Sequence, residues 1–199
     1  MIRNLLTIAA LSAFVSQPAS AEDDFANYAV NLGISPFGVS FNASLNASQK
    51  TTYTASIGGA PTGNAPFTPT VDDVEYELEV GSSWTGVFIN HRPFESASWF
   101  RVNTGIGFGR ITQSLDDGNG NTYTANYTEN PVGYFGVGAG LRPVQGFQAG
   151  VDIGLLHTGG PAVVRTGGDG DDATQALAND FLIGTPTLPN LQISLGWGF

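Results

Sequence analysis

Val74-Glu75-Tyr76-Glu77-Leu78-Glu79-Val80 alternates without a break, placing four apolar side chains on one face of a β-strand and three glutamates on the other. A helix cannot produce that separation. In the same phase Trp84 and Phe88 join the apolar face, and Gly81, Ser83 and Thr85 join the glutamates. The pattern recurs where Phe100, Val102, Ile106 and Phe108 oppose Arg101, Asn103, Gly105 and Gly107, and where Phe135, Val137, Ala139 and Leu141 oppose Tyr134, Gly136, Gly138 and Gly140. It returns with Phe147, Ala149, Val151, Ile153 and Leu155 against Gln148, Gly150, Asp152 and Gly154, and with Leu191, Ile193, Leu195, Trp197 and Phe199 against Gln192, Ser194, Gly196 and Gly198.

The polar faces are too small and too rich in glycine to be the solvated surface of a soluble sandwich, whose outer face carries Lys, Glu and Thr. They suit the interior of an all-β, closed, antiparallel transmembrane barrel, with the apolar faces toward lipid and every backbone group paired by closure. Trp84, Phe88, Trp99, Phe100, Phe147, Trp197 and Phe199 fall near strand ends, where interfacial girdles are expected. One phase switch stands out: Val30, Leu32 and Ile34 are apolar at even positions, Phe37, Val39, Phe41, Ala43 and Leu45 at odd ones. Either a bulge at Ser35-Pro36 restores the facing or two short strands meet there.

Composition agrees with this class. The chain has 199 residues, 17 acidic and 7 basic, 27 glycines and no cysteine. Disulfides and thiolate metal sites are excluded, and a net charge of −10 argues against nucleic acid as a partner. At the N-terminus Arg3, the run Leu5 to Val15 and Ala19-Ser20-Ala21 read as a signal peptide over residues 1–21, leaving a barrel domain over 22–199. No later stretch is long and apolar enough for a spanning helix.

Short connections are expected at Asn46 to Lys50, His91 to Ser98 and Arg142 to Gly146, facing the periplasm. Longer ones, at Gly58 to Asp73, Ser114 to Asn121 and Gly159 to Asn190, are expected outside. The length fits about eight strands. The eighth is either the segment before Pro36 or one around Ala162 to Arg165, and Asp171 to Leu182 allows a short helix.

The candidate lumen residues are Glu75, Glu77, Glu79, Arg101 and Asp152. They form either a salt-bridge network filling the interior of an eight-stranded barrel or an acidic passage favouring small cationic solutes. The inward glycines either clear that passage or permit tight curvature. No catalytic constellation emerges: His157 lacks a Ser two residues away on its strand face, and Thr158 points to the opposite face. Gly167 to Asp172 and Asp117 to Asn121 carry calcium-like spacings but lack the stacked repeats or closing glutamate such sites need, and read as surface loops. No metal or cofactor is expected.

The segments Gly33-Ile34-Ser35-Pro36-Phe37-Gly38, Asn90-His91-Arg92-Pro93-Phe94, Asn130-Pro131-Val132-Gly133-Tyr134-Phe135-Gly136-Val137-Gly138 and Val151 to Pro161 resemble, in this order, blocks of the small outer-membrane barrels of the CarO type, among the OmpW- and OmpX-like porins. The aromatic strand ending in Trp197 and Phe199 resembles the C-terminal signal read by the barrel-assembly machinery. The resemblance implies an eight-stranded monomeric barrel in the outer membrane of a Gram-negative bacterium, in contact with lipid and lipopolysaccharide. For the best-known member it implies a narrow channel for basic amino acids such as ornithine, linked to carbapenem entry. It transfers no substrate residue.

Overall fold

The computed structural model describes residues 24–65, 67–127 and 131–199. The expected signal peptide over residues 1–21 and the expected start of the barrel domain at residue 22 lie outside these residues. In chain order the described elements are β1 (Tyr28–Ser35), β2 (Gly38–Asn46), β3 (Thr51–Asn64), β4 (Thr70–Val71), β5 (Val74–Glu75), β6 (Glu77–His91), β7 (Phe100–Asp116), β8 (Thr122–Tyr127), β9 (Val132–Gly140), β10 (Gly146–His157), β11 (Ala162–Gly167), α1 (Thr174–Asn179) and β12 (Thr187–Gly198). Eight strands close a ring in the order β1-β2-β3-β6-β7-β9-β10-β12, each antiparallel to its neighbours. The seam joins the first strand to the last. Tyr28 N–H donates to Phe199 O at 3.0 Å, Phe199 N–H donates to Tyr28 O at 2.9 Å, and their rings stack with centroids 6.2 Å apart.

The phase switch resolves as two strands. Pro36 and Phe37 form a two-residue turn between Ser35 and Gly38, which pair directly, so Val30, Leu32, Ile34, Val39, Phe41, Ala43 and Leu45 all face outward, while Phe37 in the turn packs inward. The eighth strand is therefore β1, while β11 pairs only with β8 outside the ring. The turns after β2, β6 and β9 lie at the end that holds the paired termini, and the longer connections lie at the other. Strands β1, β2, β9, β10 and β12 have 8, 9, 9, 12 and 12 residues, close to the roughly 9–11 that cross a bilayer. Their outward side chains, including Leu32, Ile34, Phe41, Phe135, Ile153 and Ile193, are exposed in the isolated chain. That uninterrupted apolar belt suits contact with lipid. Tyr28, Trp99, Phe147, Trp197 and Phe199 are exposed at its inner rim as a girdle.

Strands β3, β6 and β7 are longer, at 14, 15 and 17 residues, and carry the outer part of the molecule. Beyond the ring the end of β7 pairs with β8 and β8 with β11, and this sheet encloses its own apolar core of Val71, Tyr76, Leu78, Leu115, Tyr123, Leu177 and Ile183. Here the reading of β6 is corrected. Tyr76 and Leu78 are buried in the outer core while Glu75, Glu77 and Glu79 are exposed. The pairing of β6 with β7 runs from Glu77↔Asp116 to His91↔Val102 without a register shift. Because the side-chain period is two, the phase that buries Leu78 turns Trp84 and Phe88 into the lumen and Val87 and Ile89 toward lipid. The strand's first half stands in water, so its apolar face turns inward.

The two calcium-like loops pack on one another. Asp117 accepts from the amide of Asn121 at 2.6 Å and from the backbone N–H groups of Asn119 and Asn121. Asn121 Oδ1 in turn accepts from Arg165 and from Gly170 N–H. The side-chain oxygens of Asp117 and Asn121 are thus engaged internally, and among the described residues no acidic or histidine cluster is arranged to hold a metal. Asn121's amide and these N–H groups hold the Asp117 carboxyl below the usual carboxylate range. A carboxylate lowered on folding contributes stability above its unfolded value and loses it as pH falls through the folded one. The amide chemical shifts of Asn119 and Asn121 should therefore hold through mild acid and move only below the ordinary aspartate range. Movement in step with an ordinary aspartate would contradict this. Helix α1 is shorter than the segment expected, and Asp172 accepts from Thr174 N–H just before it.

Candidate functional site: the barrel lumen

The lumen has two unlike walls. Along β1 to β3 and β12 it is lined by small amides and hydroxyls that bond to one another: Thr52 Oγ1 donates to Asn46 Oδ1 at 2.7 Å, Ser44 and Thr54 hydroxyls lie 2.9 Å apart, and Asn42 Nδ2 donates to Ser40 Oγ at 3.3 Å. Along β6, β7, β9 and β10 the wall is glycine overlaid by rings. A Cβ on Gly58 or Gly109 would stand 2.7 Å from Trp84, one on Gly86 or Gly105 within 3.0 Å of Phe88, and one on Gly136 or Gly154 within 2.8 Å of Tyr134. The Trp84 ring thus covers Gly58, and the Phe88 and Tyr134 rings each cover two inward glycines, a packing that covers bare backbone and fills a barrel too narrow for side chains from every strand. Phe88 and Tyr134 then meet edge to face with centroids 5.8 Å apart. The inward glycines are seats for side chains rather than a cleared passage.

The same device holds the charges. Arg101 donates through Nε to Asp152 Oδ1 at 2.9 Å and through Nη2 to Oδ2 at 2.5 Å, a two-pronged pair with both side chains mostly buried. Asn103 Nδ2 also donates to Asp152. Gly138 sits under Asp152, and Gly140 and Gly150 under Arg101. Below them, at the inner end of β6, Arg92 is 5% exposed and donates through Nη2 to Leu141 O at 2.9 Å. Its Nε and Nη1 find no partner among the described residues. Between the walls runs one cavity of about 160 Å³, lined from Leu141 and Pro143 at the inner turns to Ser35, Phe37 and Tyr127 near the outer rim. That volume holds on the order of ten waters.

Of the residues expected in the lumen, Arg101 and Asp152 are there and are brought together. Glu75, Glu77 and Glu79 are not: they lie on the outer face of the outer sheet, where Glu75 accepts from Thr68 Oγ1 at 2.7 Å. Trp197 and Phe199 are exposed at the closing seam. His157 faces the Thr187 hydroxyl at 3.2 Å, and no carboxylate among the described residues bonds to it. Tyr134 lies inside, on the face the alternation assigns to the interior, whereas Trp84, Phe88, Arg92 and Phe37 are lumen residues the alternation does not give. The available signal was Val87 and Ile89, apolar in the phase opposite to Trp84 and Phe88.

Solved structures share this fold. Acinetobacter baumannii CarO superposes with a TM-score of 0.61 over 87% of this chain and 98% of its own, at 14% identity. The fold is that of CarO. The CarO2 structure from the same organism gives 0.62 over 88% of this chain and all of its own at 13% identity, and a major outer membrane protein from Thermus thermophilus gives 0.55 over 86% and 98% at 12% identity. No protein-family model and no curated protein matches the sequence, so the likeness to CarO lies in the architecture.

Proposed function

We propose that this CarO-like barrel resides as a monomer in the outer membrane of a Gram-negative bacterium and passes small polar solutes through its lumen without catalysing a reaction. The observation that carries the reading is the cavity lined from the inner turns to the outer rim. Phe199, exposed at the seam, is the proposed handle for the assembly machinery, and the apolar belt the contact for lipid and lipopolysaccharide.

The cation preference suggested by Glu75, Glu77 and Glu79 loses its basis, because they face outward. The charged side chains that face the cavity are Arg92, Arg101 and Asp152, an excess of positive charge that favours anionic or zwitterionic solutes. A second reading, a non-conducting barrel acting through its outer part, is favoured by the separate outer core and by the exposed Phe67, Phe181 and Leu182.

Planar-bilayer recording separates the two. The expected result is small steps that do not favour cations, unchanged by Glu75→Gln/Glu77→Gln/Glu79→Gln and shifted toward cations by Arg92→Gln. A folded but silent barrel would reject passage in favour of the second reading.

A further inference from the structure

The connection between β1 and β2 is a two-residue turn, and it does not stand at the outer rim with the others. Its strands are short, and its tip folds across the lumen. Gly38 has φ of 95°, and a Cβ there would lie 2.1 Å from Gly59 O, so the turn's backbone rests directly on β3. Reaching over that strand, Phe37 O accepts hydrogen bonds from two side chains of β6, Ser82 Oγ at 2.7 Å and Trp84 Nε1 at 3.1 Å. The Trp84 ring can lie across the wall because Gly58 leaves it room. On the other side of the lumen Phe37 packs against Ile111, Tyr127 and Leu188, with Leu156 beside them. These residues come from β7, β8, β12 and β10, so one side chain links the turn to the opposite wall.

Amides and hydroxyls of β1 to β3 line one side of the cavity beneath, whereas Phe37, Ile111, Tyr127 and Leu156 make its outer end apolar. An apolar lining of this kind opposes ions because it holds water poorly. This apolar end is also held by few bonds, two of them to a single carbonyl.

We propose that the Pro36–Phe37 turn is the outer gate of the lumen, closed when Phe37 O is held by Ser82 and Trp84 and opened when the turn swings away from β6 about Ser35 and Gly38. The proposal rests on the passage reading for what crosses the gate. Its test does not.

The chain has no cysteine, so Ser56→Cys, at a buried position lining the cavity below the turn, supplies a unique thiol as reporter. The folded protein is inserted into vesicles, and protease added outside confirms that the outer loops face the medium. The rate at which a small charged thiol reagent added outside modifies the introduced thiol is then measured. Removing both donors with Ser82→Ala/Trp84→Phe should speed modification by about fivefold for each hydrogen bond lost, about 25-fold together. Phe37→Ala, which leaves both donors in place but removes the ring, should also speed it and serves if the double variant fails to fold. Rates unchanged in the folded variants would overturn the gate, and if the barrel still conducts the passage reading stands without it. Faster modification in a barrel that never conducts would support a gate over a chamber closed at its inner end, and the passage reading would fall alone.

Discussion

Asp152→Asn lowers the stability of the folded barrel by about 3–5 kcal/mol, the usual cost of leaving one partner of a buried ion pair unmatched. The substitution keeps the shape of the side chain, so the loss is electrostatic. Arg101 keeps its charge in a site where its side chain is only 14% exposed, with Arg92 the other cation lining the inner part of the cavity. Urea unfolding in detergent, read by the change in gel mobility between folded and heated forms, gives the number. Arg101→Met/Asp152→Asn should recover most of the loss, since it removes both charges together. A single variant that unfolds at the wild-type urea midpoint would mean the pair contributes nothing to the barrel.

Gly138→Val is expected to be at least as damaging, at about 3 kcal/mol or more, because overpacking here meets backbone as well as side chain. Its Cβ would stand 2.0 Å from Asp152 Oδ1 and 2.5 Å from Val151 O, so the ion pair and the β9–β10 ladder cannot both keep their places. The matched control is Gly63→Val on β3, where nothing lies within 4 Å of the added group. Gly63→Val should fold with wild-type yield and mobility, while Gly138→Val yields little heat-modifiable barrel. Equal yields would show that inward glycines are not seats for the charged pair.

Much of the fold was legible because lipid imposes one rule on every strand that crosses it. Outward residues must be apolar whatever lies inside, so alternation alone gives the outward Ile106, Phe108, Phe135, Phe147, Ile153, Leu155 and Leu191, though Leu141 and Ala149, in the same phase, end at the cavity instead. On β6 the same alternation misled, because the rule changes along the strand. From Glu77 to Val80 it stands in water beside a private core, and only later does it meet lipid. Period two was visible there; which face was inside was not. The site divided in the same way: Arg101 and Asp152 lay on lipid-crossing strands and were placed, whereas the glutamates lay on the outer extension.

The sequence by itself determined a closed antiparallel barrel, the outward set of most strands and the polar character of the lumen, since these depend only on side-chain period and the exclusion of water by lipid. The tertiary structure alone, through barrel closure and register, decided that β1 completes the ring, that Phe88 and Tyr134 reach glycines of the next strand as well as of their own, that Arg101 and Asp152 meet over Gly138 and Gly150, and that Phe37 reaches the far wall. Apart from the same-strand pairs Gly86–Phe88 and Tyr134–Gly136, these contacts join different strands, and no local pattern encodes them.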